Sequence, residues 1–163
     1  MALAELSVEE GHPAESEVPV RQAIAEFQKE KTIDDEIWAQ SILARALLEM
    51  GKPAEAQKEI ARVAGLVAKS RTRFRLGMAI VAAQVRAALG KPGEASHSLL
   101  ATLAEATKDG FVGYQFETRL ALAEIEMKSG KSGAGRARLE ALEKDATAKG
   151  FGLIARKAAA ARS

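Results

Sequence analysis

Apolar residues recur along this chain three and four positions apart. Val20, Ile24 and Phe27 fall on one helical face, as do Ile42, Leu43, Ala46, Leu47 and Met50. The same spacing carries Ala56, Ile60, Val63 and Val67, then Met78, Val81, Ala82, Val85 and Leu89. It continues through Leu99, Leu103 and Ala106, through Phe116, Leu120, Ala123 and Met127, and through Leu139, Leu142 and Ala146. A period near 3.6 marks amphipathic helices. It predicts helices over 13–31, 35–50, 53–69, 72–89, 92–108, 112–129, 132–149 and 151–161. Residues 1–10 read as the tail of another.

The breaks between these runs recur. Gly51-Lys52-Pro53-Ala54-Glu55-Ala56 returns, altered, as Gly11-His12-Pro13-Ala14-Glu15-Ser16, Gly90-Lys91-Pro92-Gly93-Glu94-Ala95 and Gly130-Lys131-Ser132-Gly133-Ala134-Gly135. The four glycines stand 40, 39 and 40 residues apart, and a fixed period of that size marks a repeat array. Glycine ends a helix by taking a left-handed backbone, and proline suits the first turn of the next. Glu15, Glu55 and Glu94 then meet the positive end of a helix dipole. Ser132 is expected to cap in place of proline, and Ser70 to cap the helix from 72. Thr32 to Asp35 supply further cap residues. Pro19 is expected to kink its helix or delay its regular part. Such short turns make successive helices antiparallel.

A chain of 163 residues, rich in alanine and poor in aromatics, fits one helical domain. It has no cysteine, which removes disulfides and thiolates and leans towards a reducing compartment. No apolar run approaches a membrane span, and residues 1–10 do not resemble a signal peptide; no membrane association and a cytoplasmic location are expected. The formal net charge of +2 is unevenly placed. Residues 1–50 hold 4 basic and 11 acidic side chains, and residues 51–163 hold 20 and 11.

Columns around the glycines carry a family resemblance. Leu3, Leu43, Ala82 and Leu122 stand eight before, and Ala4, Ala44, Ala83 and Ala123 seven before. Ser16, Ala56, Ala95 and Gly135 stand five after, and Val20, Ile60, Leu99 and Leu139 nine after. Small residues let helix axes approach while aliphatic ones fill the gap. The chain resembles the tetratricopeptide (TPR) repeat family. That implies an all-α fold, a right-handed α-α superhelix of antiparallel helix pairs. The repeats would run over about 1–31, 32–70, 71–110 and 111–150, with a capping helix at 151–162. The period is longer than the usual 34, and is similar to repeats in larger bacterial signalling and transcription-control proteins. The first copy starts in mid-helix, so a piece of a longer chain is expected.

The resemblance also implies a site, the concave face built from the first helix of each pair. Trp38, Ser41, Ile42, Arg45 and Leu48, then Ile80, Val81 and Gln84, then Glu117, Leu120, Glu124 and Met127 are the candidate residues. Trp38 is the candidate anchor, with packing against the preceding helix as its alternative role. No asparagine occurs anywhere, so no lysine–asparagine clamp for a partner's terminal carboxylate is expected.

Chemistry is not in view. Gly130-Lys131-Ser132 lacks the earlier glycine of a phosphate loop, since Ile125 stands there, and Arg138 stands where Gly133-Ala134-Gly135 would need a third glycine. His12 and His97 have no ligand spacing, so no metal, cofactor or catalytic residue is assigned. Arg71, Arg73 and Arg75 form the densest basic cluster, a candidate anion contact or a solvated helix start. The leading expectation is a non-enzymatic module binding a protein or peptide. Self-association end to end is the alternative, and nucleic acid the weakest reading.

Overall fold

The computed structural model describes residues 2–162, and every regular element among them is a helix. The helices are α1 (Ala2–Glu9), α2 (Pro13–Glu30), α3 (Ile33–Glu49), α4 (Pro53–Val67), α5 (Thr72–Ala88), α6 (Pro92–Lys108), α7 (Val112–Lys128), α8 (Ser132–Ala148) and α9 (Gly152–Ala161). Expectations for Met1 and Ser163 lie outside the described residues.

Local chemistry explains the turns. Gly51 sits at φ 73°, in the left-handed region. Its N–H donates to the Leu48 carbonyl at 3.0 Å, and the Lys52 N–H to that of Leu47 at 2.8 Å. Two carbonyls orphaned at the helix end are thereby satisfied. Gly11, Gly90, Gly110, Gly130 and Gly150 take the same conformation. Lys31 does so at φ 59° without being glycine, and the Thr32 N–H still reaches the Phe27 carbonyl at 3.1 Å.

Helix starts differ from expectation in three places. Ser132 is the first residue of α8, and the N-cap position belongs to Lys131, whose side chain makes no cap bond. The Ser70 hydroxyl donates backwards to the Val67 carbonyl at 2.7 Å, so it does not cap α5. Pro19 neither delays nor divides α2, which runs unbroken from Pro13. Pro19 is exposed, so water can serve the carbonyl left without an N–H partner.

The chain divides into two compact units, Met1–Leu89 and Gly90–Ser163. The first holds α1 to α5, with α3 at its centre, packed against α1, α2, α4 and α5. Val20 and Ile24 of α2 meet Leu43, Ala46 and Leu47 of α3 in one buried cluster; Ile37, Val63 and Met78 form another. Between α2 and α4 lies the buried Glu59 carboxylate, 3.0 Å from Arg21 and 3.0 Å from Arg62. The two guanidiniums supply the partners that a buried polar group needs. Arg21 is held more firmly protonated than usual, chiefly by its hydrogen bond to Glu59.

The second unit holds α6 to α9, with α7 packed against α6, α8 and α9. Phe116, Ala123, Leu139, Leu142, Ala146, Ile154 and Ala158 form its core. Phe116 meets Phe151 edge to face, ring centres 5.0 Å apart. Gly135 of α8 lies close against Met127 of α7. A Cβ built there would stand 2.9 Å from Met127 Cγ and 3.0 Å from the Met127 backbone nitrogen.

Candidate functional site

Neighbours cover most of α3. Ile37, Ala39, Gln40, Ile42, Leu43, Ala44, Ala46 and Leu47 are all buried. Less covered, besides Ile33, Asp35 and Glu49 at its ends, are Asp34, Trp38, Ser41, Arg45 and Leu48, each half-buried. Their spacings of four, three, four and three place them on a single stripe. Trp38 and Leu48 pack their inner sides onto the core. The Ser41 hydroxyl is occupied within its own helix, donating to the Trp38 carbonyl at 2.7 Å.

Arg45 is drawn towards α1. Its Nη1 lies 2.9 Å from Glu9 and its Nη2 3.9 Å from Glu5. Two carboxylates around one guanidinium leave this part of the stripe net acidic. Gln84, on α5 of the same unit, is half-buried. The first unit therefore offers an aromatic and an aliphatic side chain with carboxylates beside them.

Several expected groove residues contribute little surface. Ile42 is 2 % exposed and belongs to the core cluster of the first unit. Ile80, Val81 and Leu120 are buried as well. Helical spacing cannot separate a residue on the open stripe from one a single position round the helix, where a neighbouring helix covers it.

In the second unit the candidate residues lie on α7. Glu117 is exposed, while Glu124 and Met127 are half-buried. Met127 turns towards α8, since its side chain fills the space beside Gly135. Burial pushes the Glu124 carboxyl above its ordinary value, although Lys128 and Lys157 of α9 pull the other way. On α7, then, a reluctant carboxylate replaces the cation that α3 carries in the same column.

The arginine cluster at the start of α5 is engaged. Arg71 donates from its backbone N–H to Asp34 Oδ1 at 2.9 Å and from Nε to Asp34 Oδ2. The guanidinium of Arg73 lies 4.4 Å from the centre of the Phe74 ring, and that of Arg71 5.4 Å. Arg75 donates to Thr72 Oγ1 at 3.4 Å. Burial of Asp34 pushes its carboxyl up, but the Arg71 N–H and guanidinium outweigh that, so it lies below its ordinary value. Asp34 thus supplies from α3 the negative charge that α5 lacks in its own first turn. Their separation of 37 positions conceals this in the sequence. The basic run Arg71, Arg73 and Arg75 reads here chiefly as helix-end and ring packing.

Among the described residues, no three of His, Cys, Asp and Glu are grouped so as to hold a metal ion. None of the described helices is long and apolar enough to cross a membrane.

No family model matches the sequence, and no curated protein matches it. Solved structures do. The chain is similar to a Podosopora anserina kinesin light chain described as having nearly identical TPR-like repeats, with a TM-score of 0.64 at 22 % identity. The match spans 90 % of this chain and 72 % of that one. A point variant of the same protein matches equally, at TM-score 0.64 and 22 % identity over the same shares. The fold is that of TPR-like helical repeats.

Proposed function

We propose that this chain is a non-catalytic protein-interaction module of the long-period TPR type, similar to those in bacterial signalling and regulatory proteins. The observation that carries the reading is the α3 stripe. Four neighbouring helices leave one line of α3 uncovered, and that line presents Trp38 and Leu48 rather than only polar groups. A half-buried tryptophan, with an aliphatic residue on the same stripe about 15 Å further along the helix, is a suitable anchor for a partner. Glu5 and Glu9 flank the line, so the favoured ligand is a short segment with an apolar side chain and a lysine or arginine close to it. The fold and the repeat register support the reading, as does the lack of any catalytic constellation in the sequence. A cytoplasmic setting agrees with a cysteine-free composition.

Selection of short random peptides from a displayed library tests this. Ser41→Arg serves as the counter-selection, because it obstructs the middle of the stripe without entering the core. Enriched peptides should pair an apolar residue with a cation, bind the Ser41→Arg protein at least tenfold more weakly, and shift the emission of Trp38, the only tryptophan. Peptides that bind both proteins equally and leave Trp38 emission unchanged would move the site elsewhere.

A further inference from the structure

We infer that the joint between the α2–α3 turn and the α4–α5 turn binds phosphate, either free or as the end of a small ester. An open cleft of about 330 Å³ lies there, at the lower end of the range for small-molecule sites. Lys31 and Thr32 line it from one turn, Lys69 and Arg71 from the other, and Asp34 and Asp35 from the start of α3. All six belong to the first unit. The repeat explains why the space is open. In the second unit the N-cap residues of α7 and α9 are Phe111 and Phe151, whose rings pack against Tyr114 and Phe116. The same column holds Thr32 and Arg71 in the first unit, and the four residues stand 39, 40 and 40 positions apart. Neither Thr32 nor Arg71 puts a ring into the joint.

Charge identifies the ligand. Lys31 and Lys69 stand 38 positions apart in the chain, and the fold brings both to one cleft. Among the described residues, no carboxylate is paired with either ammonium group. Asp34 is neutralised by Arg71, which donates to it from backbone and side chain. Two cations are then opposed only by the Asp35 carboxylate, so the cleft attracts an anion, and lysines serve phosphate well as point charges. Lys31 is also held in place against local preference. It is the one non-glycine residue with positive φ among those described, at 59°. Glycine takes that conformation in the turns before Phe111 and Phe151. Strain of this kind concentrates at ligand sites. Neither Trp38 nor Leu48 lines the cleft, so this site does not depend on the α3 stripe.

Amide proton–nitrogen NMR spectra of the 163-residue chain, titrated with inorganic phosphate against chloride at constant ionic strength, test this. Shifts should saturate and cluster in residues 31–35 and 69–71, the segments that line the cleft. Lys31→Gly and Lys69→Gln should each weaken phosphate binding about two- to fivefold, and together they should abolish saturation. Asp35→Asn should tighten it, because the one opposing charge is gone. Lys31→Gly is the most telling variant. It removes the ammonium while easing the backbone, so lost binding does not reflect lost folding, and circular dichroism checks that the helices persist. Glycerol phosphate in a parallel titration separates the two sources: tighter binding than inorganic phosphate marks an ester, weaker binding marks the free ion. Shifts that stay linear with concentration, or that appear equally at lysines outside the cleft, overturn the inference. So does unchanged affinity in both lysine variants, and so does an Asp35→Asn protein that binds phosphate more weakly.

Discussion

Replacing Gly135 by alanine sets two known effects against each other. Alanine in place of glycine inside a helix stabilises by about 0.5–1 kcal/mol through chain entropy. At Gly135 the added methyl would stand 2.9 Å from Met127 Cγ, 3.0 Å from Met127 Sδ and 3.0 Å from the Met127 backbone nitrogen. The side chain could rotate away, but the backbone nitrogen recedes only if α7 and α8 separate. Overpacking of this kind costs about 1–3 kcal/mol. Gly135→Ala should therefore destabilise the protein by up to about 2 kcal/mol, the larger cost less the entropic gain.

Gly133 and Gly65 supply the control. Both are helical, and a Cβ at either meets nothing within 4 Å. Alanine at each should stabilise by a few tenths to about 1 kcal/mol, less at Gly133 in the first turn. Urea denaturation followed by far-ultraviolet circular dichroism reads both signs. For a chain of this size about 1 kcal/mol moves the thermal midpoint by about 2–4 °C. Adding Met127→Ala to Gly135→Ala should recover only part of the loss, because the backbone contact survives. If Gly135→Ala is as stabilising as Gly65→Ala, the close approach of α7 and α8 is wrong.

Three further outcomes follow from the structure. Lys31 holds a left-handed conformation that glycine adopts at the other turns, so Lys31→Gly should raise stability by about 0.5–1 kcal/mol in the same urea assay. Burial raises the Glu124 carboxyl, so the folded state resists its charge. Glu124→Gln should raise stability at neutral pH, and the gain should vanish in acid, as the native carboxyl takes up its proton; a gain independent of pH would exclude this cause. Asp34 behaves in the opposite sense. Its lowered value makes the native pairing strongest above the ordinary carboxylate range and loses it as pH falls through the folded value. Asp34→Ala should cost about 1 kcal/mol at neutral pH, with wild type and variant converging in acid.

The sequence by itself determined the helices and where they stop. Glycine, proline and helical spacing act over a few residues, so Gly51 and Pro53 specify a stop and a start wherever the chain lies. The family resemblance, read through the repeat register, put Trp38, Ser41, Arg45 and Leu48 on one face, together with Ile42. Local logic also misled, taking Ser70 and Ser132 as caps, because a hydroxyl has more than one way to be satisfied. Tertiary structure alone decided that Ile42, Ile80, Val81 and Leu120 are core, because burial depends on which helix lies alongside. It alone decided that Asp34 serves α5, that Glu5 and Glu9 hold Arg45, and that Gly135 has no room for a methyl. Those contacts join residues far apart in the chain, and their energies depend on distances of a few ångströms that no local pattern records.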